Sequence, residues 1–212
     1  MSKAKHKTVS GTAMWVKVFE PDTKFNPDGV YSVDLLKPEL EAAKLSDYLE
    51  NLVNERLAEE VKQNPEKYEG KLSTHLPFEE DYDKDNNKTG NIKFKFKLDA
   101  VGKRRDGGTY EQKVMVVDSK LTPMKGDKLI GNGSLINVSF EPRTYFIPAT
   151  KTVGVKLHLA GVQVVELQEY GSAASMFEET DGYVEQKVEK DDASEVFDET
   201  FAAEGSTDEG DF

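Results

Sequence analysis

Cysteine is absent from this sequence of 212 residues. Its absence excludes disulfides, thiolate nucleophiles and cysteine-based zinc sites, and it fits a reducing compartment such as the cytoplasm. Long apolar runs are also missing, since no stretch approaches the roughly 18 residues that a membrane-spanning helix needs. The N-terminal MSKAKHK lacks the apolar segment of a signal peptide. We therefore expect a soluble cytoplasmic protein without membrane contact.

Signatures of catalysis and of metal binding are missing as well. No Ser/His/Asp signature and no Walker motif is present, and the three histidines share no ligand spacing. Residues 81–92 have the alternating acids of a calcium loop, but Asn86 and Ile92 stand where that loop needs Gly and Glu. A solvated acidic loop is the favoured interpretation, and IGNGS (130–134) is better explained as a tight turn than as a dinucleotide cradle. We expect no enzymatic activity, no cofactor and no metal.

Charge is distributed very unevenly along the chain. The whole sequence has 40 acidic and 28 basic residues and a net charge of −12. Residues 172–212 alone hold 14 acids and two lysines, so residues 1–171 are neutral, and within them residues 91–156 hold 13 bases and 6 acids. Apolar residues are sparse after residue 171, so that segment cannot bury enough surface to offset its ordering entropy. It is predicted to be a disordered acidic C-terminal tail.

Hydrophobic periodicity predicts a mainly β domain in residues 1–171. Helical spacing of apolar residues predicts one helix over about 39–63, inserted between strands and ended by the Pro of QNPEK. Strand patterns cover the segments 11–21, 29–38, 91–102, 111–120, 133–147 and 151–170, with a bulge expected near Gly161. Five or more long strands without a βαβ rhythm favour an all-β fold with one long helix, an antiparallel barrel of the OB type.

The basic region combines cations with aromatic rings. Alternation along 91–102 places three lysines on one strand face, and a basic Gly-rich turn follows. Cations that follow phosphates and rings that stack on bases are the two components of sequence-tolerant single-strand binding. Of the adjacent Tyr145 and Phe146, one is expected to face the core and the other the ligand. The candidate DNA-binding residues are Lys93, Lys95, Lys97, Lys103, Arg104, Arg105, Tyr110, Arg143, Tyr145, Phe146 and Lys151.

The acidic tail ends on an aromatic ring, in the stretch STDEGDF (206–212). Its carboxylates resemble a row of phosphates, and Phe212 resembles a stackable base. The tail is therefore predicted to cover the basic groove when DNA is absent and to bind partner proteins when DNA displaces it, chiefly through Asp208, Glu209, Asp211 and Phe212. The alternative is a protein-interaction module that recruits basic partners through its acidic tail, with lysines that only solubilise the protein and no nucleic-acid binding.

Several segments resemble, in the same order, the replication single-stranded DNA-binding proteins of T-seven-like bacteriophages. No single segment is specific to this family, but the occurrence of all of them in the same order is. They are GTA (11–13), NPDGVYSVDL (26–35), LPF (76–78), FKFK (94–97), VVDSK (116–120), IGNGS (130–134), TVGVKLHL (152–159), VVEL (164–167) and the final GDF (210–212).

This resemblance implies an OB-fold, no catalysis, single-stranded DNA binding, strand annealing and a homodimer. It also implies that the tail contacts the phage DNA polymerase and helicase-primase, with Phe212 as the family's terminal Phe. The family's aromatic and basic DNA-facing segment corresponds to Arg143, Tyr145 and Phe146. Residues 39–90 and the sequence RTYF (143–146) depart from the family pattern.

Overall fold

The computed structural model describes residues 7–104 and 106–169. The predicted disordered tail, with Asp208, Glu209, Asp211 and Phe212, lies outside the described residues, as does Arg105. Among the described residues, neither helix combines the length and the apolar character that a membrane span requires.

Long strands and one long helix dominate the described part of the chain. The strand predicted over 111–120 is reduced to the three residues Met115–Val117, whereas the other short strands and a second, four-residue helix were not separately predicted from sequence. In chain order the elements are β1 (Lys7–Asp22), β2 (Val30–Pro38), α1 (Glu39–Gln63), α2 (Pro65–Tyr68), β3 (Ser73–His75), β4 (Phe78–Tyr82), β5 (Lys88–Asp99), β6 (Val101–Lys103), β7 (Thr109–Glu111), β8 (Met115–Val117), β9 (Leu135–Ile147) and β10 (Thr152–Glu166).

Five strands close into a barrel. β1 pairs with β2 and β9, β2 pairs with β5, β9 pairs with β10, and β10 closes on β5. These pairings are antiparallel except the closing pair, which is parallel. Outside the barrel, β3 and β8 pair with β10, β4 pairs with β5, and β6 and β7 form a separate hairpin. The prediction of an OB-type barrel is confirmed.

The barrel interior is filled by the apolar half of each alternating strand. In β5, Phe94, Phe96 and Leu98 are buried while the lysines between them face outward. The Phe96 ring meets Phe140 of β9 edge-on, with centroids 5.1 Å apart. The register of β9 and β10 shifts between Leu159 and Gly161, where the sequence predicted a bulge. Beyond that bulge Val162 and Val164 are buried, so the strand continues to supply the core.

Helix α1 is inserted between β2 and β5, within the bounds that its periodicity predicted. It begins after Pro38, where β2 ends, and stops before Asn64 and Pro65 because proline lacks the amide that a continuing helix needs. Ala42, Leu49 and Val53 are buried and belong to the core of the barrel. The helix therefore packs on the barrel by the face that carries these residues.

Candidate nucleic-acid interface

The three lysines on the outer face of β5 have different surroundings. The Nζ atoms of Lys93 and Lys95 each lie 2.9 Å from a carboxylate oxygen of Glu79 on β4. Hydrogen bonds from both lysines lower the pKa of Glu79, and the same carboxylate raises the pKa of Lys93. Lys97 makes no ion pair with any residue of the described segments. Glu79 thus neutralises part of the predicted cationic face and leaves Lys97 available.

A second exposed lysine, Lys156 on β10, lies near Lys97 although it was not among the predicted residues. The parallel pairing of β5 with β10 places Lys97 opposite His158, two residues from Lys156. Lys156 is exposed and is opposite Arg143 in the register of β9 and β10. Val155 and Leu157 are buried, so alternation could have placed Lys156 on the outer face. The sequence could not show that the outer face of β10, which carries Lys156, adjoins the outer face of β5, which carries Lys97.

Tyr145 and Phe146 point to opposite sides of β9, as predicted for adjacent strand residues. Phe146 packs against the core and meets Tyr68 edge-on at 5.3 Å between ring centroids. The Tyr145 hydroxyl lies 2.8 Å from Nδ1 of His75 on β3, at the outer surface. Burial of this hydroxyl raises the pKa of Tyr145. The structure therefore places Tyr145 in the surface groove and leaves Phe146 to packing.

Two adjoining clefts form one groove on this outer surface. The first has a volume of about 390 Å³ and is lined by Tyr145, Lys95 and Lys97, among others. The second has a volume of about 550 Å³ and is lined by Tyr110, Lys103 and Arg143, among others. Asp99, Lys156 and His158 line both clefts. The groove thus runs from Tyr145 to Tyr110 across the junction of β5 and β10, and this path is called the barrel groove below.

The β6–β7 hairpin supplies the predicted basic turn at one end of the barrel groove. Lys103 and Tyr110 line the second cleft, and the guanidinium carbon of Arg104 stands 5.9 Å from the Tyr110 ring centroid. Arg143 is engaged locally, because its guanidinium donates two hydrogen bonds, of 2.9 and 2.6 Å, to Glu141. Lys103 has no carboxylate within ion-pair distance among residues 7–104 and 106–169.

Two loops border the barrel groove. Lys151 is exposed in the turn between β9 and β10, beyond Tyr145, and adopts a positive φ of 51°. Phe25, in the β1–β2 loop, is 89% exposed and neighbours Asn26, which lines the second cleft. Phe25 was not predicted as a site residue, although a lone ring in a Pro- and Gly-rich loop was a visible signal. The β1–β2 and β9–β10 loops are those that OB-folds commonly use for ligands.

His158 sits at the centre of the barrel groove and is half-buried. Burial lowers its pKa below the ordinary 6.5, and the nearby cations Arg143 and Lys156 lower it further. Glu141 and Asp99 oppose that shift. The imidazole is consequently neutral at pH 7, and any anion that enters the groove will favour its protonated form.

The acidic turn between β4 and β5 is stabilised by its own hydrogen bonds. The Asp83 carboxylate accepts bonds from the backbone amides of Asp85 and Asn87, at 2.9 and 2.8 Å. These bonds lower the pKa of Asp83. Asn86 adopts a positive φ of 63°, which asparagine tolerates in turns. The alternating acids of this segment thus build a hairpin turn.

Comparison with known proteins identifies the family. The family model described as "Single-stranded DNA-binding protein, Bacteriophage T7" matches residues 11–167, most of the chain. The chain belongs to this family. The resemblance seen in the order of the sequence motifs is thereby confirmed.

Individual relatives of the T7 single-stranded DNA-binding protein family agree over most of the chain. The single-stranded DNA-binding protein of Escherichia phage T7 is 32% identical over 88% of this chain and 86% of its own length. That of Enterobacteria phage T3 is 33% identical over 69% of this chain and 66% of its own length. The crystal structure of gp2.5, a single-stranded DNA-binding protein encoded by bacteriophage T7, superposes with a TM-score of 0.63 at 30% identity, covering 86% of this chain and 99% of that one.

Proposed function

We propose that this chain binds single-stranded DNA along the barrel groove, without catalysis, in phage replication, recombination and repair. One observation carries the proposal: Lys97, Lys156 and Lys103 line one groove together with two partly exposed rings, Tyr145 and Tyr110. The lysines would follow phosphates while the rings stack on bases, each stacked base contributing about 1–3 kcal/mol. The names of the family's relatives support this proposal.

The groove is suited to single strands because it offers ring faces as well as charge. A duplex has its bases already stacked, so Tyr145 and Tyr110 could reach base faces only in an unpaired strand. The charges themselves carry no sequence information, because phosphate contacts are the same for every base. Binding would therefore tolerate many sequences, and it needs no bond to form or break.

We further propose that the acidic tail regulates this binding. A segment of charge −12 would compete with DNA for the groove cations, and displacement by DNA would free it for partner proteins. Its last residues, Asp208, Glu209, Asp211 and Phe212, would contact the replication DNA polymerase and helicase-primase. We also propose that the protein acts as a homodimer and anneals strands in the cytoplasm of the host cell.

A protein-interaction module that recruits basic partners through its tail remains the second candidate. That function would explain the acidic tail equally well. It gives no reason for exposed lysines to line one groove together with two tyrosines. Gel-shift measurements with single-stranded and duplex DNA separate the two functions, because a pure interaction module retards neither.

Removing the groove lysines is expected to reduce the salt dependence of DNA binding. Each phosphate neutralised on a single strand contributes about −0.7 to the slope of log K against log[salt]. Lys97→Ala combined with Lys156→Ala should therefore make the slope shallower by about 1.4. The measurement is a salt titration of oligothymidylate binding by fluorescence anisotropy.

The matched control for the salt titration removes two lysines from elsewhere on the surface. Lys62 lies in the last turn of helix α1, and Lys84 lies in the β4–β5 turn; both are exposed. The Lys62→Ala, Lys84→Ala variant has the same net charge as the groove variant and should keep the wild-type slope. Equal slopes for the two variants would show that total charge matters and that the barrel groove does not.

Lowering the pH is expected to strengthen DNA binding through His158. The pKa of His158 is below 6.5 in the free protein, and bound phosphates raise it, so binding takes up a proton in the window between the two values. Affinity should rise by at most about tenfold per pH unit as the pH falls through that window. His158→Gln should flatten this rise when binding is measured from pH 7.5 to 5.5.

The same histidine has the opposite effect on folding, which serves as an internal check. The unfolded chain binds more protons than the folded chain where the folded pKa lies below 6.5. Stability should therefore fall as the pH drops through that window, and His158→Gln should remove this contribution. A wild-type pH profile for DNA binding that survives in His158→Gln would assign the proton uptake to another group.

A further inference from the structure

The Tyr145 ring lies directly over a glycine on the neighbouring strand. Gly154 of β10 is opposite Tyr145 in the register of β9 and β10. A Cβ built on Gly154 would stand 2.5 Å from both Cζ and Oη of the tyrosine. No side chain fits beneath the ring, because real Cβ contacts essentially never fall below 3.0 Å. The absence of a side chain lets the ring lie against the backbone of Gly154.

The other ring of the barrel groove has the same arrangement on a different pair of strands. Gly102 of β6 is opposite Tyr110 in the register of β6 and β7. A Cβ built on Gly102 would stand 2.6 Å from Cε1 and 2.8 Å from Oη of that ring. Neither Gly102 nor Gly154 has a positive φ, so turn geometry does not explain the choice of glycine.

We propose that Gly102 and Gly154 are positioning residues that hold Tyr110 and Tyr145 as fixed stacking surfaces for DNA bases. The inference rests on the proposed function and deepens it. Each ring uses one face against the backbone of its glycine, where a cross-strand aromatic–glycine contact is favourable. A ring held in this way has lost its rotamer freedom before DNA arrives, so binding does not have to order it.

His75 adds a second constraint at Tyr145. Strand β3 pairs with β10 at Gly154, which brings His75 opposite the glycine itself. From there its Nδ1 lies 2.8 Å from the tyrosine hydroxyl. Tyr145 is thus held by a glycine beneath its ring and by a hydrogen-bonding partner at its tip. At Tyr110 the corresponding neighbour is Arg104, at 5.9 Å from the ring centroid.

A double-mutant cycle tests the proposal on DNA binding. Gly154→Ala should still fold, because the obstructing atoms belong to the movable end of a surface side chain, but the ring must swing away. We expect oligothymidylate binding to weaken about 5- to 30-fold, a part of what one stacked base contributes. In a Tyr145→Ala background the same substitution should change affinity by less than about twofold, since no ring remains to be held.

The second glycine provides the matched control for this cycle. In a Tyr110→Ala background, Gly154→Ala should keep its full effect, because it positions the other ring. Gly102→Ala should likewise weaken DNA binding in the wild-type and Tyr145→Ala backgrounds, and it should lose this effect in the Tyr110→Ala background. An effect of either glycine that is the same with and without its own tyrosine would overturn the proposal and show a general structural role.

Failure of the proposal is distinguishable from failure of the proposed function. If Tyr145→Ala and Tyr110→Ala both bind oligothymidylate like the wild type, stacking in the barrel groove is refuted. If the two tyrosine variants weaken binding while Gly154→Ala and Gly102→Ala do not, DNA binding in the barrel groove is supported and the positioning role of the glycines is refuted. A readout without DNA completes the test: the Hα resonances of both glycines should be shifted upfield by the rings. The shift at Gly154 should vanish in Tyr145→Leu, and the shift at Gly102 should vanish in Tyr110→Leu.

Discussion

Tyr145→Ala is expected to weaken single-stranded DNA binding about 5- to 150-fold without lowering the melting temperature. The size of the effect follows from the loss of one stacked base, about 1–3 kcal/mol. Stability should hold because the ring lies on the outer surface of β9, against Gly154 and His75. The measurement pairs anisotropy titrations with oligothymidylate and thermal unfolding of the same protein.

The neighbouring residue should give the reverse result. Phe146 packs against the core and against the edge of Tyr68, so Phe146→Ala should cost about 3 kcal/mol of unfolding free energy, the lower end of the range because the ring is only partly buried. DNA affinity measured at low temperature should be nearly unchanged. A control substitution, Tyr82→Ala, removes a 46% exposed tyrosine from β4 and should alter neither quantity. Early melting of Tyr145→Ala, with normal DNA binding at low temperature, would instead make that ring a packing residue.

Phe212→Ala is expected to weaken binding to a replication partner, such as the cognate phage DNA polymerase, roughly 10- to 100-fold. Charge alone cannot distinguish one basic surface from another, whereas a terminal ring with its own carboxylate can enter an apolar pocket rimmed by cations. Burial of a Phe side chain contributes about 1.5–3 kcal/mol, and each 1.4 kcal/mol is about tenfold in affinity. DNA affinity should remain nearly intact, because the tail keeps its 14 acids.

Other changes in the tail should affect partner binding and DNA binding differently from Phe212→Ala. Phe201→Ala removes an internal ring of the same tail and is the matched control, for which partner binding should be unchanged. A chain that ends at Gly171, or one whose tail acids are neutralised with Phe212 kept, should bind DNA more tightly because the competing charge is gone. If Phe212→Ala binds the partner as tightly as the wild type, the terminal ring plays no part and the tail acts only through its negative charge.

The fold was largely predictable because its signals are local. The helix could be placed at 39–63 since apolar residues repeat with its period and Pro65 follows its end. Strand β5 was evident from lysines alternating with phenylalanines. The short strands β3, β4, β6 and β7 have three to five residues each, too few to show a period. The parallel pairing of β5 with β10 joins segments that are distant in sequence, so no local sequence pattern could predict it.

The site was less predictable because it depends on which strands become neighbours. Lys93 and Lys95 had the right pattern, yet both pair with the single carboxylate of Glu79, which required knowing that β4 pairs with β5. Lys156 was missed for the same reason, since only the closing pair of strands brings it near Lys97. The sequence left open which of Tyr145 and Phe146 faces the core, because alternation shows only that adjacent strand residues point to opposite sides.

The closing seam of the barrel has a consequence for local opening. Only two register pairs join β5 to β10, Phe96 with Leu157 and Lys97 with His158, whereas the ladder between β9 and β10 runs along nearly their whole length. Such a short ladder is where local opening of a barrel costs least. Lys97 and Lys156 lie on either side of it, so an anion held by both fastens the two strands together. Occupancy of the groove should therefore slow amide hydrogen exchange by local opening along this seam, in addition to the general protection that any ligand of the folded state gives.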